Sequence, residues 1–194
     1  MTDAPTRIAG GKASLERKTK ETTITVELDL QGSGSYDVAT DNKFLTHMVE
    51  TLTRYAGFDL KLRATGDLDH HLIEDVAITM GQAFREAFAG APCARMAFDQ
   101  VCMDDVLMAC TVDVVDRPYY EGPLPIPIYD HWFRSFAMEA RINLHLEHKR
   151  GRDTHHAVEA AFKSFGRALR QALAARVEEV STKGVVQTGG EGSS

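Results

Sequence analysis

Two stretches of the sequence are near copies of each other: HHLIEDVAITMGQAFREAFA at residues 70–89 and HHAVEAAFKSFGRALRQALA at residues 155–174. A shift of 85 residues, from 70 to 155, superposes the paired histidines, a glutamate, a glycine and an arginine. Both stretches have helical periodicity, and Gly90 and Pro92 follow the first as helix-stopping residues. Repetition at a fixed period is typical of internal duplication. We therefore expect two halves of the same fold.

The segments around these helices follow a similar order in the two halves. The predicted elements of the first half are a strand at 22–30, a turn at 32–35, a helix at 42–55, a strand at 58–66 and the helix at 70–89. Those of the second are strands at 95–98 and 106–115, a proline-rich loop, a helix at 131–140, a strand at 142–147 and a helix at 154–177. The expected organisation is a flexible N-terminus at 1–16, repeats at 17–92 and 93–184, and a disordered tail at 185–194.

Composition narrows the class of protein. The 194 residues carry a formal net charge of −6 without a basic stripe, which argues against nucleic-acid binding. No apolar run approaches the roughly 20 residues that span a bilayer, and the N-terminus has no secretory apolar segment, so a cytoplasmic protein is expected. The three cysteines have no CxxC spacing, which argues against a disulfide framework or a thiolate zinc site and predicts small buried side chains.

Histidine is the informative residue type, with eight in the chain. In each HHxxE motif the first histidine and the glutamate lie four residues apart, and therefore share one face of a helix. The second histidine of each pair points about 100° away and must serve another site. The motifs thus predict two metal sites, each drawing on both repeats or on a neighbouring subunit.

Two further histidines stand at the ends of predicted elements and complete the donor count. Together they give two sites of three histidines and one glutamate: His47, His70, His71, Glu74, His145, His155, His156 and Glu159. Nitrogen and oxygen ligands without thiolate suit manganese, iron, zinc or nickel, and a four-ligand site on such a metal leaves positions open for catalysis. One HHxxE alone is common by chance; the matched second copy favours metal binding. We expect His131 and His148 at the surface and Trp132, Phe133 and Phe136 in the core.

Several motifs occur in the order found in one enzyme family. They are RKTKETTI, FLTHM, GDLDHHLIEDVAI, VDRPYY, LHLEHKRGRDTHHAVEAAFK and STKG. The chain resembles imidazoleglycerol-phosphate dehydratases of histidine biosynthesis. The resemblance implies an internally duplicated α+β fold, in which each half has a four-stranded sheet and two helices, as in ribosomal protein S5 domain 2, with the helices packed between the sheets. It also implies trimers that assemble into a 24-mer, with two Mn²⁺ per active site at subunit contacts, and the eight donors above match the family's ligand positions.

The resemblance further implies the reaction and its residues. Water is eliminated from D-erythro-imidazole-glycerol phosphate to give imidazole-acetol phosphate, through an imidazolate stabilised by the two metals. Glu21 matches a residue near the substrate hydroxyls and is a candidate acid/base, with Glu74 and Glu159 as alternatives. The phosphate-side positions are Arg95, Arg117, Ser181 and Lys183, and Lys163 matches another substrate-side position.

The chain also departs from the family pattern beside the ligands. Thr46 replaces an aspartate, Thr51 and Tyr55 replace a glutamine and a histidine, and the segment GDLDHH is shortened. Arg152-Asp153 stands where the family has Gly-Asn. These changes leave two alternatives to the dehydratase open: a paralogue with another substrate, and a metal-assembled oligomer without catalysis.

Overall fold

The computed structural model describes residues 8–176, which form two halves with the same order of elements. The first half contains β1 (Lys12–Lys18), β2 (Thr22–Asp29), β3 (Tyr36–Thr40), α1 (Lys43–Ala56), β4 (Asp59–Gly66) and α2 (Asp69–Phe88). The second contains β5 (Met96–Met103), β6 (Val106–Asp113), β7 (Tyr119–Glu121), α3 (Pro127–Ala140), β8 (Asn143–Arg150) and α4 (Thr154–Ala172). The duplication and the α+β class are confirmed.

Each half forms one four-stranded sheet, in the orders β1-β2-β4-β3 and β5-β6-β8-β7. The pairs β1–β2, β2–β4, β5–β6 and β6–β8 are antiparallel, whereas β3–β4 and β7–β8 are parallel. A helix connects the two strands of each parallel pair, because a parallel pair needs a crossover rather than a tight turn. The same topology in both sheets therefore brings β4 and β8 to equivalent places, directly before the two HHxxE motifs.

The helices pack between the two sheets, as expected. α2 lies on the first sheet and against α3, whereas α4 lies on the second sheet and against α1. Large apolar side chains fill this layer, and Phe84, Trp132 and Phe162 are almost completely buried. Both helix pairs therefore join one half of the chain to the other.

The two duplicated glycines stand at these helix crossings. A Cβ atom at Gly81 would lie 2.8 Å from the carbonyl oxygen of Phe136 in α3, and one at Gly166 would lie 3.0 Å from that of Leu52 in α1. Because real Cβ atoms essentially never come closer than 3.0 Å to a neighbour, the helices meet here with no room for a side chain. The glycine repeat thus reflects close packing.

Four expectations about the elements are wrong. The N-terminus is not flexible to residue 16: β1 begins at Lys12 and pairs along its length with β2, burying part of Ala13 and Leu15. No strand was expected at β3, which follows the predicted turn and carries mostly exposed positions, and β7 lies in the predicted loop and has only three residues. Helix α4 ends at Ala172, and the chain then bridges back to Ile8 and Cys93.

The aromatic residues expected in the core and the three cysteines differ in burial. Trp132, Phe133 and Phe136 are buried, as expected, but Cys102 is exposed on β5 while Cys93 and Cys110 are buried. Side chains alternate between the two faces of β5, and Cys102 lies on the exposed face. The expectation that it is buried is therefore wrong. No helix in the described part of the chain is long and apolar enough to cross a membrane.

Candidate metal centre and active site

The two HHxxE motifs form the first turns of α2 and α4, just after β4 and β8. At α4 the carboxylate of Asp153 caps the helix, because its Oδ1 accepts a hydrogen bond from the backbone nitrogen of His156 at 3.0 Å. At α2 the cap position is Leu68, and no side chain of residues 8–176 caps the helix there. The shorter connection in the first half therefore places an exposed leucine beside the paired histidines.

A first cluster surrounds Glu159. Its Oε2 lies 3.4 Å from Nε2 of His155 on the same helix and 3.6 Å from Nε2 of His47 on α1. Its Oε1 accepts a hydrogen bond from Lys163 Nζ, 2.7 Å away. Burial opposes ionisation of this carboxyl, but Lys163, His47 and His155 outweigh it and hold the pKa of Glu159 below its ordinary value. The group is therefore an anion that faces two imidazoles.

A second cluster surrounds Glu74. Its Oε2 lies 3.7 Å from Nε2 of His70, and its Oε1 lies 3.1 Å from Nε2 of His131 on α3. His131 is half-buried, so the expectation of a surface residue is wrong. Its place in the repeat is informative: His131 is the fifth residue of α3, as His47 is the fifth of α1. Alignment of α3 with α1 as part of the duplication would have identified His131 as the equivalent of His47.

The second histidine of each pair points away from its neighbour. The ring centroids are 6.1 Å apart for His70 and His71 and 6.0 Å apart for His155 and His156, with the rings nearly perpendicular. Nδ1 of His71 lies 2.8 Å from Oδ1 of Asp67, and Nδ1 of His156 lies 3.1 Å from Oδ1 of Asp105. An ionised carboxylate only accepts, so Nδ1 carries the hydrogen and Nε2 keeps the lone pair through which an imidazole can bind a metal.

These carboxylates also change the protonation of the rings. The hydrogen bond that His71 donates to Asp67 raises the pKa of His71, and the one that His156 donates to Asp105 raises the pKa of His156. Carboxylate partners on the remote nitrogen also make an imidazole a more basic ligand. The second histidines are therefore held in one orientation and prepared for a cation.

His145 lies away from both clusters. It stands on β8 between the buried Leu144 and Leu146, so it faces the side of the second sheet opposite the helices, where its ring is 5.3 Å from that of Tyr119. Within residues 8–176 of a single chain, no group of three or more His, Cys, Asp or Glu side chains could hold a metal ion. His145 therefore stands apart from the donors around Glu74 and Glu159.

The donor chemistry nevertheless fits divalent cations. Two ligands about 2.1 Å from one cation and roughly 90–110° apart lie about 3.0–3.4 Å from each other. The distances from Oε2 of Glu74 and Glu159 to the neighbouring imidazole Nε2 atoms are 3.4–3.7 Å, which is only slightly longer. Small side-chain movements would therefore bring these donors onto a cation.

Glu21 lies close to the first pair of histidines. It stands in the turn between β1 and β2, it is exposed, and its Oε2 is 3.7 Å from Nδ1 of His71. Unlike Glu74 and Glu159, it is not enclosed by two histidines. The structure thus leaves its carboxylate accessible at the edge of the donor cluster.

Comparison with known proteins shows the family of the chain. The model of the imidazoleglycerol-phosphate dehydratase family matches residues 40–169, which include both HHxxE motifs and the helices that carry His47 and His131. The chain belongs to this family. Its members are hydro-lyases, and the chain is accordingly an enzyme of histidine biosynthesis that dehydrates imidazole glycerol phosphate.

Individual imidazoleglycerol-phosphate dehydratases match over most of their length. The relative from Koribacter versatilis is 39% identical over 193 residues, covering 90% of this chain and 99% of its own, and that from Parafrankia is 44% identical over 191 residues, covering 90% and 98%. The crystal structure of the Pyrococcus furiosus enzyme in complex with (S)-C348 has a TM-score of 0.79 at 34% identity, covering 89% of this chain and all of that one. The Staphylococcus aureus enzyme gives 0.77 at 29%, covering 85% and 99%.

The family's phosphate-side positions are dispersed in the single chain. Lys163 is bound to Glu159 and lies 5.9 Å from the centre of the Tyr55 ring. Arg95 donates to both oxygens of Asp113, at 2.7 and 3.0 Å, and this hydrogen bonding raises its pKa. Arg117 is exposed in the loop before β7. Ser181 and Lys183 lie outside the described residues. Of the three positions that lie within residues 8–176, only Lys163 contacts a histidine cluster.

The departures from the family pattern have local structural partners. The hydroxyl of Thr46 lies 2.9 Å from that of Thr40, which ties the start of α1 to the end of β3. Thr51 is buried, and Tyr55 lies under the ammonium group of Lys163. Thr46 therefore stabilises the junction of β3 and α1, whereas Tyr55 changes the surroundings of Lys163.

Proposed function

We propose that this dehydratase works at dinuclear manganese centres assembled between copies of the chain. The observation that carries the proposal is that the candidate ligands of one chain lie in separate places and form no complete metal site within residues 8–176. Glu74 and Glu159 each gather imidazoles from both halves. His145 faces outward from the second sheet, and in this proposal it serves a neighbouring copy.

The ligands divide by orientation. His47, His155 and Glu159 would contribute to one cation, and His70 and Glu74 to the other. The remaining donors, His71, His145 and His156, point away from these clusters and would reach cations shared with neighbouring copies. Family resemblance supports manganese and a 24-mer built of trimers, while the donor set also suits iron, zinc and nickel.

The protein's own groups then have distinct tasks. Two bound cations would supply Lewis acidity at the substrate's imidazole, which would stabilise its anionic form and ease the loss of hydroxide. Asp67 and Asp105 keep the ligand imidazoles in one tautomer. Glu21, accessible and 3.7 Å from His71, is our candidate for carrying the proton, because Glu74 and Glu159 are committed to their clusters.

The phosphate group requires cationic partners at the other end of the substrate. Lys163 is the nearest to a histidine cluster, and the family positions Arg95, Arg117, Ser181 and Lys183 complete the proposed set. The ion pair of Arg95 with Asp113 fixes its side chain before any ligand arrives. We also propose a cytoplasmic location, which the biosynthetic role of the family supports.

The test is a dehydration assay on metal-free and manganese-loaded protein. We expect formation of imidazole-acetol phosphate only after loading, together with a chelator-sensitive oligomer on a sizing column. Glu21→Gln should keep manganese binding and oligomer size while turnover falls about 100-fold or more. Full turnover by the metal-free protein, or by Glu21→Gln, would contradict the corresponding part of the proposal.

A further inference from the structure

In both HHxxE glutamates, the two carboxylate oxygens have different neighbours. In Glu159, Oε2 faces the histidines while Oε1 accepts a hydrogen bond from Lys163 at 2.7 Å. In Glu74, Oε2 faces His70 while Oε1 lies 3.1 Å from Nε2 of His131. One oxygen of each carboxylate is therefore directed towards an imidazole, and the other is held by a donor from the protein.

The donor differs between the halves for a reason visible in the sequence. Lys163 follows Glu159 by four residues on α4, so the two side chains share a helix face. The repeat-equivalent position on α2 is Ile78, which has no hydrogen-bonding group. His131, from α3 of the opposite half, stands in its place beside Glu74.

The packing of α3 on α2 fixes this contact. His131 and Glu74 are each about one-third exposed, with side-chain exposures of 33% and 34%, and the ring of His131 also lies 5.9 Å from that of His70. The helix crossing is close because Gly81 admits the backbone of α3. His131 thus approaches Glu74 on a rigid element rather than on a loop.

We propose that His131 is a positioning residue for the metal centre of the first half. It donates from Nε2–H to Oε1 of Glu74 and so directs Oε2 towards the cation. Because the carboxylate only accepts, the hydrogen sits on Nε2, and that atom is not a metal ligand while the hydrogen bond exists. This inference rests on the metal centre of the proposed function, and it adds a residue outside the eight donors.

Three variants at this position test the role in the intact oligomer. His131→Ala removes the donor, His131→Phe removes it while keeping a ring in the α2–α3 packing, and His131→Gln keeps an amide N–H near the place of Nε2. Arg134→Ala, at an exposed position of the same helix, is the matched control. The readouts are manganese bound per chain and the affinity of each site, measured by titration of metal-free protein, with kcat and KM alongside.

We expect Ala and Phe to weaken one of two manganese sites about 10–100-fold, which is the usual cost of losing a hydrogen-bond partner of a ligand. Gln should bind within a few-fold of wild type, as should Arg134→Ala. Wild-type affinity in both Ala and Phe would overturn the inference while leaving the metal centre intact. Equal loss in Gln and Ala would overturn it in favour of direct ligation, and a wild type that binds no manganese would overturn the proposed function itself.

Discussion

At the scale of single residues, the two HHxxE glutamates differ in the side chains that surround them. Glu159 is almost completely buried and balanced by Lys163, whereas Glu74 is half-buried and faces only imidazoles. The helical spacing in HHxxE was sufficient to predict that His70 and His155 approach these glutamates. It was not sufficient to find His131, which contacts Glu74 only because α3 crosses α2; the sequence signal for His131 was its position in the repeat, equivalent to that of His47.

Replacement of Glu159 tests whether its negative charge, paired with Lys163, is needed for metal binding. Glu159→Gln removes the anion, and leaves Lys163 with a side-chain exposure of 16% beside an amide. We expect loss of one manganese ion per chain and at least a 100-fold fall in turnover. Elemental analysis after dialysis measures the metal. Glu27→Gln, on the exposed face of β2, is the control, and an unchanged metal content in Glu159→Gln would refute the assignment.

At the scale of elements, turns and helix crossings place the site. The strands and helices of both halves were largely predictable from periodicity, since each alternates or repeats over a sufficient length. β3 and β7 were not, because a strand with exposed polar residues or only three residues gives no clear alternation. Their position is set by the neighbouring strands β4 and β8.

The turn between β2 and β3 depends on Asp59. Its Oδ1 accepts from the backbone nitrogens of Ser33 at 2.7 Å and Ser35 at 2.9 Å. Burial opposes ionisation, but these bonds outweigh it and lower the pKa of Asp59. A depressed folded-state pKa gives stability that is present above the unfolded value of about 3.9 and is lost as pH falls through the folded value.

Asp59→Asn should therefore show a pH-dependent effect. We expect it to lower the free energy of unfolding by about 1–2 kcal/mol at pH 7. Below the folded pKa, where the wild-type carboxyl is also protonated, the difference should become small. Urea denaturation of metal-free protein at both pH values measures it, and a constant difference would show that the charge has no part in the effect.

At the helix crossings, we expect replacement of glycine by alanine to change stability in the direction opposite to that given by helix propensity. Alanine normally stabilises a helix interior by about 1 kcal/mol relative to glycine. Gly81→Ala and Gly166→Ala should instead destabilise the fold by about 1–3 kcal/mol, since the new methyl group would meet backbone atoms at 2.8–3.0 Å. Thermal unfolding, with the exposed Arg85→Ala as control, measures this. Stabilisation by either alanine would show that the helices can separate without cost.

At the scale of the whole molecule, duplication and family membership account for most of what the sequence revealed. The order of motifs was sufficient to predict the α+β fold and the reaction, and both are confirmed. The arrangement of complete centres was not predictable from one chain, because donors such as His145 face away from the helix layer. In the proposed function, these donors meet only when copies of the chain assemble.

Shared centres predict complementation between two defective chains. His145→Ala and Glu159→Gln should each be inactive alone. When the two are dissociated, mixed and reassembled with manganese, some centres would combine intact His145 from one chain with intact Glu159 from another. We expect dehydratase activity to reappear in the mixture. Reassembled mixed oligomers that stay inactive would argue that these two residues serve one chain.

The most direct test of the central claim is to measure dehydratase activity against manganese bound per chain while metal-free protein is titrated. We expect activity to rise with bound metal and to reach its maximum at two manganese ions per chain, in the assembled oligomer. Full activity in protein that holds less than one ion per chain would contradict the dinuclear centre.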